Sequence, residues 1–440
     1  MTDTPLCDFL DRYERSHPVR LHMPGHKGVP SLGCEPRDIT EIDGADALYE
    51  ANDILLQSER RASEHFGAHT FYSTEGSSLC IRAMLALIKK RSPQQKRILA
   101  ARNAHKTFLS AAALLDLDPV FLPTDGYLSV TVTAEEVDAH LGQSDYAAVY
   151  LTVPDYLGHS YDLAPIAAVC RAHGVPLLVD NAHGAYLKFL SPSRHPIDLG
   201  ADLCCDSAHK TLPALTGAAY LHVAKDDRYG FAAGAKEALA LFGSTSPSYL
   251  ILQSLDALNG SLRSLPEQLA SFLPKAAVLK AALTDAGFAL LGEEPLKVTI
   301  DANAYGYTGD ALAALLQSQG IYSEYHDPQV LVWMLSPCNT EDDLFRAKEA
   351  LLQIPKRDPI TPLQLPFASA ERACSVREAM LAPSERLPLS DCLGRVLAQP
   401  CVGCPPAVPI RMCGERIDAA AVSQFRFYGI ETLSVVKNAD

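Results

Sequence analysis

The chain has 440 residues, enough for two or three domains, and 48% of them are hydrophobic, enough to fill a large core. The formal net charge of −14 argues against nucleic acid or an anionic membrane as the main partner, although one local pocket can oppose the global sign. Twelve cysteines lack the regular spacing of a secreted disulfide framework. With no signal-peptide pattern, this points to a reducing, cytoplasmic setting. No run of about 18 apolar residues occurs, so no membrane span is expected.

Residues 1–58 contain a Pro/Gly/His knot, Arg20-Leu21-His22-Met23-Pro24-Gly25-His26-Lys27-Gly28. Such a knot cannot be the interior of a helix or strand and reads as an ordered arm. From 59 to 262, short apolar runs alternate with helical patterns. Ile98–Ala101, Val120–Leu122, Ala147–Val153, Pro176–Asp180 and Asp202–Cys205 read as buried strands. Helical patterns fall near 77–90, 105–116 and 163–173. This alternation predicts a large α/β domain with a mostly parallel sheet. Residues 263–355 read as a smaller α/β domain, with strands near Leu296–Ile300 and Val330–Leu335. A Pro-rich stretch from Pro355 to Pro366 then marks the start of a C-terminal domain, 356–440.

Four features of the large domain carry chemistry. Ser73-Thr74-Glu75-Gly76-Ser77-Ser78 opens the helical run Leu79–Lys89. Small residues at a helix start can present backbone N–H groups to a phosphate; the same pattern is also an ordinary helix cap. Glu75 would oppose a phosphate unless turned away. Asp180 ends the apolar run Pro176–Val179, within Asp180-Asn181-Ala182-His183. Ligands in open α/β sheets bind at the carboxyl ends of strands, where a carboxylate can keep a pyridine nitrogen protonated or cap the next turn. Ser207-Ala208-His209-Lys210-Thr211 follows the run Asp202–Cys205. A lysine there can be partly desolvated and nucleophilic, which Schiff-base formation requires. Ser207 and His209 could donate to a phosphate. Ala101-Arg102-Asn103-Ala104-His105-Lys106 ends another strand, where His105 could stack on a flat heteroaromatic ring. The combination, in this order, points to pyridoxal 5′-phosphate (PLP) held by Lys210. Two cysteine pairs read differently: Cys204-Cys205 as buried packing, and Cys401-Val402-Gly403-Cys404 as zinc-like in spacing but without a second ligand pair, so no metal is expected.

These residues also carry a resemblance. The chain resembles the ornithine/lysine/arginine decarboxylase family of fold-type I PLP enzymes. Arg20–Gly28 is similar to its His-x-Pro-Gly-His-Lys-Gly signature, and Asp38–Asp46 to the segment that follows it. Arg102–Lys106, Pro154–Gly158, Asp180–His183, Ser207–Thr211 and Thr245–Tyr249 match further motifs in order. Gly394-Arg395 and Pro405-Pro406…Gly414-Glu415 fit its terminal domain. Asn181 stands where an acidic residue is common, and Ala407 where glycine is often found.

The resemblance implies decarboxylation of a basic amino acid, arginine, lysine or ornithine, to the amine and CO2. Lys210 would hold PLP, Asp180 the pyridine nitrogen, and His105 and Ala182 the two ring faces. Residues Ser73, Thr74, Glu75, Gly76 and Ser77, with Ser207 and His209, would surround the phosphate. His183 joins Lys210 as a candidate proton donor. Thr245 or Ser246 would reach the site of a neighbouring subunit, which implies a homodimer or a higher assembly. His22 and His26 would lie near the active site. Glu324, in Tyr322-Ser323-Glu324-Tyr325-His326-Asp327, would read the substrate's distal charge, with Asp46 in reserve. The signature begins at residue 22, so the wing domain of the large inducible members is not expected. Two other readings stay open: an aminotransferase or lyase on the same scaffold, and a non-catalytic paralogue.

Overall fold

The runs read as strands and helices take their places within a residue or two. The structure is a computed structural model that describes residues 3–124, 126–361, 370–400 and 408–438. Cys401–Cys404, Pro405-Pro406, Ala407 and Pro366 therefore lie outside the described residues. In chain order, the first elements are α1 (Pro5–Arg15), α2 (Ile54–Phe66), β1 (Ala68–Ser73) and α3 (Gly76–Arg91). Next come β2 (Arg97–Ala100), α4 (Lys106–Leu114), β3 (Asp118–Phe121) and α5 (Ala134–Gln143). Then follow β4 (Ala148–Thr152), α6 (Leu163–Ala172), β5 (Leu177–Asp180), β6 (Leu203–Asp206), α7 (Ala208–Thr211) and β7 (Ala219–Ala224). Helices α8 (Ala235–Ala240), α9 (Tyr249–Ser261) and α10 (Leu265–Asp285) lead to β8 (Ala289–Leu291) and β9 (Lys297–Asp301). After them stand α11 (Gly309–Gln317), β10 (Tyr325–His326), β11 (Val330–Met334) and α12 (Glu341–Leu352). The last elements are α13 (Val376–Leu381), β12 (Ser384–Pro388), α14 (Ala419–Phe427) and β13 (Thr432–Val436).

The chain divides into two units. The first comprises Met1–Gln95, Ser144–Leu151 and Leu163–Glu267; the second comprises Lys96–Gln143, Thr152–Asp162 and Gln268–Asp440.

In the first unit the strands run in the order β1-β7-β6-β5-β4. β5 and β6 are parallel, and their register sets Asp180 beside Cys205. Every residue of β5, β6 and β7 is buried, as expected of strands covered on both faces. Cys204 and Cys205 are fully buried packing residues, as the sequence reading expected, and burial drives both thiols far above their usual range. β1 and β7 were not anticipated. They pair antiparallel, Tyr72 against Tyr220, and β7 also pairs antiparallel with β6. The polar His69, Thr70 and His222 break their apolar pattern, so periodicity alone does not reveal them. α3 packs on β5, β6 and β7. Its residues from Leu79 to Ile88 are buried apart from Arg82, and Lys89, Lys90 and Arg91 in its last turn complement the helix dipole.

In the second unit β2 and β3 are parallel. A four-stranded sheet of order β10-β11-β9-β8 is antiparallel throughout. Near the C-terminus β12 and β13 pair antiparallel. Phe425 of α14 lies fully buried in a core with Leu397, Ile417 and Val435. Burial of one such side chain contributes about 1.5–3 kcal/mol. Among the described residues, no helix is long and apolar enough to cross a membrane.

Candidate active site

Lys210 sits on the short α7, just past the buried end of β6. Its Nζ lies 3.0 Å from Nε2 of His183, which is itself buried. The two groups come from neighbouring strand ends, β5 and β6, so the parallel register creates the pair. At this distance one nitrogen donates a hydrogen bond to the other.

Asp180 is the last residue of β5 and is 2% exposed. Its Oδ2 accepts from the hydroxyl of Tyr150 at 3.2 Å. Its Oδ1 accepts from the backbone N–H of Ala182 at 3.1 Å and from the Cys205 thiol at 3.6 Å. Neutral donors fix this carboxylate in orientation. The Ala182 bond also ties the following turn to it.

The helix-opening loop has a defined hydrogen-bond pattern. Ser73 Oγ accepts from Glu75 N–H at 3.2 Å and donates to Gly76 O at 3.0 Å, so Ser73 shapes the turn. Gly76 has φ of +69°, which favours glycine. Its N–H donates to Gly217 O at 2.8 Å. Gly217 allows this approach, since a Cβ there would meet Thr74 O at 2.9 Å. Glu75 is turned aside: its Oε1 accepts from Ser244 N–H at 2.6 Å. Ser207 Oγ donates to Ser77 Oγ at 2.9 Å, which joins the helix opening to the loop that bears Lys210. His209 donates from Nδ1 to Ala218 O at 3.0 Å. Its Nε2 can then donate to a phosphate only in the cationic form.

A buried network behind this loop escaped the sequence reading. Asp206 is fully buried. Its Oδ2 accepts from His195 Nε2 at 3.0 Å and from His222 Nε2 at 3.1 Å. Its Oδ1 accepts from Asn181 Nδ2 at 2.7 Å. Burial alone would raise the Asp206 carboxyl, but the two imidazoles outweigh it and hold it well below the usual range. His222 is pushed down by burial, against the pull of Asp206. The three side chains have metal-like spacing. Their tautomers favour hydrogen bonding instead. His195 Nδ1 accepts from Ile197 N–H, so its proton sits on Nε2, the atom a metal would need bare. One signal was legible: a histidine inside the apolar run of β7 must find a polar partner.

The arm residues are engaged locally. His22 Nε2 accepts from Tyr13 Oη–H at 2.6 Å, while its Nδ1 donates to Met23 O. His26 donates from Nε2 to Asp38 Oδ2 at 3.2 Å, and its Nδ1 accepts from Gly28 N–H at 3.0 Å. The Asp46 carboxylate accepts from the N–H groups of Ala47, Asn52, Asp53 and Leu55. These four donors occupy the acceptor capacity that a substrate cation would use. Thr245 and Ser246 are exposed.

The remaining predicted residues belong to the second unit. His105 is the N-cap of α4, with Nδ1 accepting from Thr107 N–H at 3.2 Å. Its preceding loop is pinned: Arg102 makes two hydrogen bonds to Glu415, at 2.7 and 2.6 Å. Glu324 is exposed, and its Oε1 accepts from Tyr156 Oη–H at 3.3 Å. The stretch 322–327 is not wholly a loop as expected, because β10 pairs with β11 and Glu324 N–H donates to Val332 O. A cavity of about 400 Å³ opens beside it, lined by Tyr322, Ser323, Glu324, Trp333, Asp343 and Arg346 among others.

Residues 4–271 match the model of the major domain of ornithine/lysine/arginine decarboxylases. The chain belongs to this decarboxylase family. An uncharacterised Bacillus subtilis protein, YaaO, is 29% identical over 461 aligned positions, covering 96% of this chain and 93% of that protein. An arginine decarboxylase of Bacillus subtilis is also 29% identical, covering 96% of this chain and 92% of its own. The Francisella novicida lysine decarboxylase LdcF matches in fold, with a TM-score of 0.80 at 16% identity, over 99% of this chain and 81% of that one. The protein is thus a fold-type I, PLP-dependent amino-acid decarboxylase.

The donor set of this family member fits the cofactor. A buried strand-end carboxylate, an amine paired with imidazole, and a serine-lined helix opening offer partners for a pyridine nitrogen, an aldehyde and a phosphate in turn.

Proposed function

We propose that this decarboxylase removes the α-carboxyl group of a basic amino acid, arginine, lysine or ornithine, as CO2 and releases the amine. The observation that carries the chemistry is the Lys210–His183 pair beside buried Asp180. The choice of a basic substrate is supported by the family match and by the relatives named arginine decarboxylase. PLP, when bound, supplies the electron sink that takes up the pair left by departing CO2. Lys210 would hold the cofactor through its amine. Asp180, fixed by Tyr150 and Ala182, holds a proton on the pyridine nitrogen. Thr74 and Ser77 would hold the phosphate, with Ser207 orienting the Ser77 hydroxyl and His209 contributing when cationic. By the family resemblance, Ala182 and His105 would flank the ring. His183 and Lys210 together return the proton to the α-carbon. Glu324, steadied by Tyr156, pairs with the substrate's distal cation. Thr245 or Ser246 completes the site of a second subunit, so the working unit is a homodimer or larger. The composition supports a cytoplasmic setting.

The test is CO2 release, measured against keto-acid formation, from a panel of basic, neutral and acidic amino acids. Release from a basic amino acid alone supports the proposal. Keto-acid formation, or preference for an acidic amino acid, overturns it.

A further inference from the structure

His105 is the N-cap of α4, so whatever fixes α4 fixes His105. Helix α4 is gripped at both ends by residues near the C-terminus. At its start, Arg102 lies three positions before His105. Its guanidinium meets the Glu415 carboxylate through two parallel bonds, Nη1 to Oε1 at 2.7 Å and Nη2 to Oε2 at 2.6 Å. The side chains are only 6% and 10% exposed. A two-point pair of planar groups fixes orientation as well as distance. Glu415 is itself held: Oε2 also accepts from Met412 N–H at 2.7 Å, and its carbonyl accepts from Leu397 N–H at 3.0 Å. The turn before it needs glycine, since Gly414 has φ of +88° and a Cβ there would lie 2.4 Å from Cys374 O. The neighbouring Asn103 donates to Thr152 O at 3.2 Å, which anchors the same loop a second time.

At the other end of α4, Arg377 of α13 donates to Ala113 O at 2.6 Å and Leu114 O at 3.2 Å. These are carbonyls that a helix end leaves without intrahelical partners. α13 packs directly against α4, and Arg372 forms an ion pair with Asp118 at the start of β3, the next strand.

We propose that the C-terminal segment is a positioning element for His105, acting through Glu415 on Arg102 and through Arg377 on the far end of α4. The proposal rests on the reading of His105 as the residue that flanks the cofactor ring. None of the three charged residues is assigned contact with substrate or cofactor.

A double-mutant cycle on PLP affinity tests it, with the full chain stripped of cofactor and titrated back by absorbance. Glu415→Gln and Arg102→Lys are each made alone and in a His105→Ala background. The melting temperature of the cofactor-free protein is measured alongside. Each single variant, His105→Ala included, is expected to weaken PLP binding by roughly tenfold. In the His105→Ala background, Glu415→Gln should weaken it no further, although its effect on melting persists; coupling of this size is typical of groups that act through one another. Equal loss in both backgrounds overturns the proposal and leaves the His105 reading standing. Unchanged PLP affinity in His105→Ala overturns that reading and the proposal with it. Arg377→Gln, at a half-buried position, carries the same cycle if the Glu415 variant does not fold.

Discussion

The Lys210 amine lies 3.0 Å from His183 Nε2, and the two residues reach each other from adjacent strand ends. Borohydride reduction of the yellow holoenzyme should therefore fix the cofactor on Lys210. Peptide mapping that placed it on another lysine, such as Lys106, would sink the assignment. His183→Gln should keep the cofactor bound yet lower kcat by about 10²-fold, the usual scale for a lost general acid or base. Unchanged kcat would remove His183 from the proton path.

Asp180→Asn is expected to fold normally and lose most turnover. An amide cannot hold the ring nitrogen protonated, and loss of about 2.7–4 kcal/mol of stabilisation slows the reaction by roughly 10²–10³-fold. Tyr150→Phe removes one neutral hydrogen bond to the same carboxylate and should cost about 1 kcal/mol, or about fivefold. Rate measurements on both, with circular dichroism as the folding control, check the order of the effects. A larger loss in Tyr150→Phe than in Asp180→Asn would contradict it.

Acid should destabilise the protein through the buried Asp206 network. His222 is depressed when folded, so the unfolded chain takes up a proton first as pH falls below about 6.5. Asp206 is depressed too, so its contribution is complete above about pH 3.9 and is lost as pH falls through its folded value. Both groups bind more protons in the unfolded state, so stability rises with pH in each window. Urea unfolding at pH 7.5 and 5.5 should show a drop that shrinks in His222→Gln. An identical drop in both proteins would place the acid sensitivity elsewhere, His65 being another histidine depressed by burial.

Glu324→Gln should raise KM for basic substrates and barely alter it for neutral ones. A carboxylate that pairs with a substrate cation contributes about 2–4 kcal/mol of discrimination. Tyr156→Phe, which frees the Glu324 side chain, should give a weaker version of the same change. Equal KM shifts for all substrates would make Glu324 a residue of the fold instead.

Much of this was legible in the sequence because strand ends concentrate chemistry. The apolar runs that end at Asp180 and Cys205 are short and dense and alternate with helical patterns, so their position in a parallel sheet follows from that alternation. Lys210 and Asp180 could be singled out for that reason. The Asp206 network could not, because His195 and His222 lie 11 and 16 positions from Asp206, and His222 meets it only through antiparallel pairing of β6 with β7. Asp46 misled for a related reason. A carboxylate in an arm looks available to a ligand until the backbone N–H groups around it are placed. The Arg102–Glu415 pair spans 313 positions, and no local pattern encodes a partner at that range.

The same pair bears on how short a working form of this enzyme can be. The family match ends at residue 271, and a fragment of that length would still hold Lys210, Asp180 and the serine-lined helix opening. It would also keep Arg102 while discarding Glu415. It would lose the two-point hold on the loop before His105, and it would strip from Tyr127 the apolar cover that Leu397 and Ile410 provide. Truncation before residue 415 is therefore expected to yield insoluble protein, which a solubility screen of staged deletions would reveal, and the indispensable part of the chain extends almost to its end.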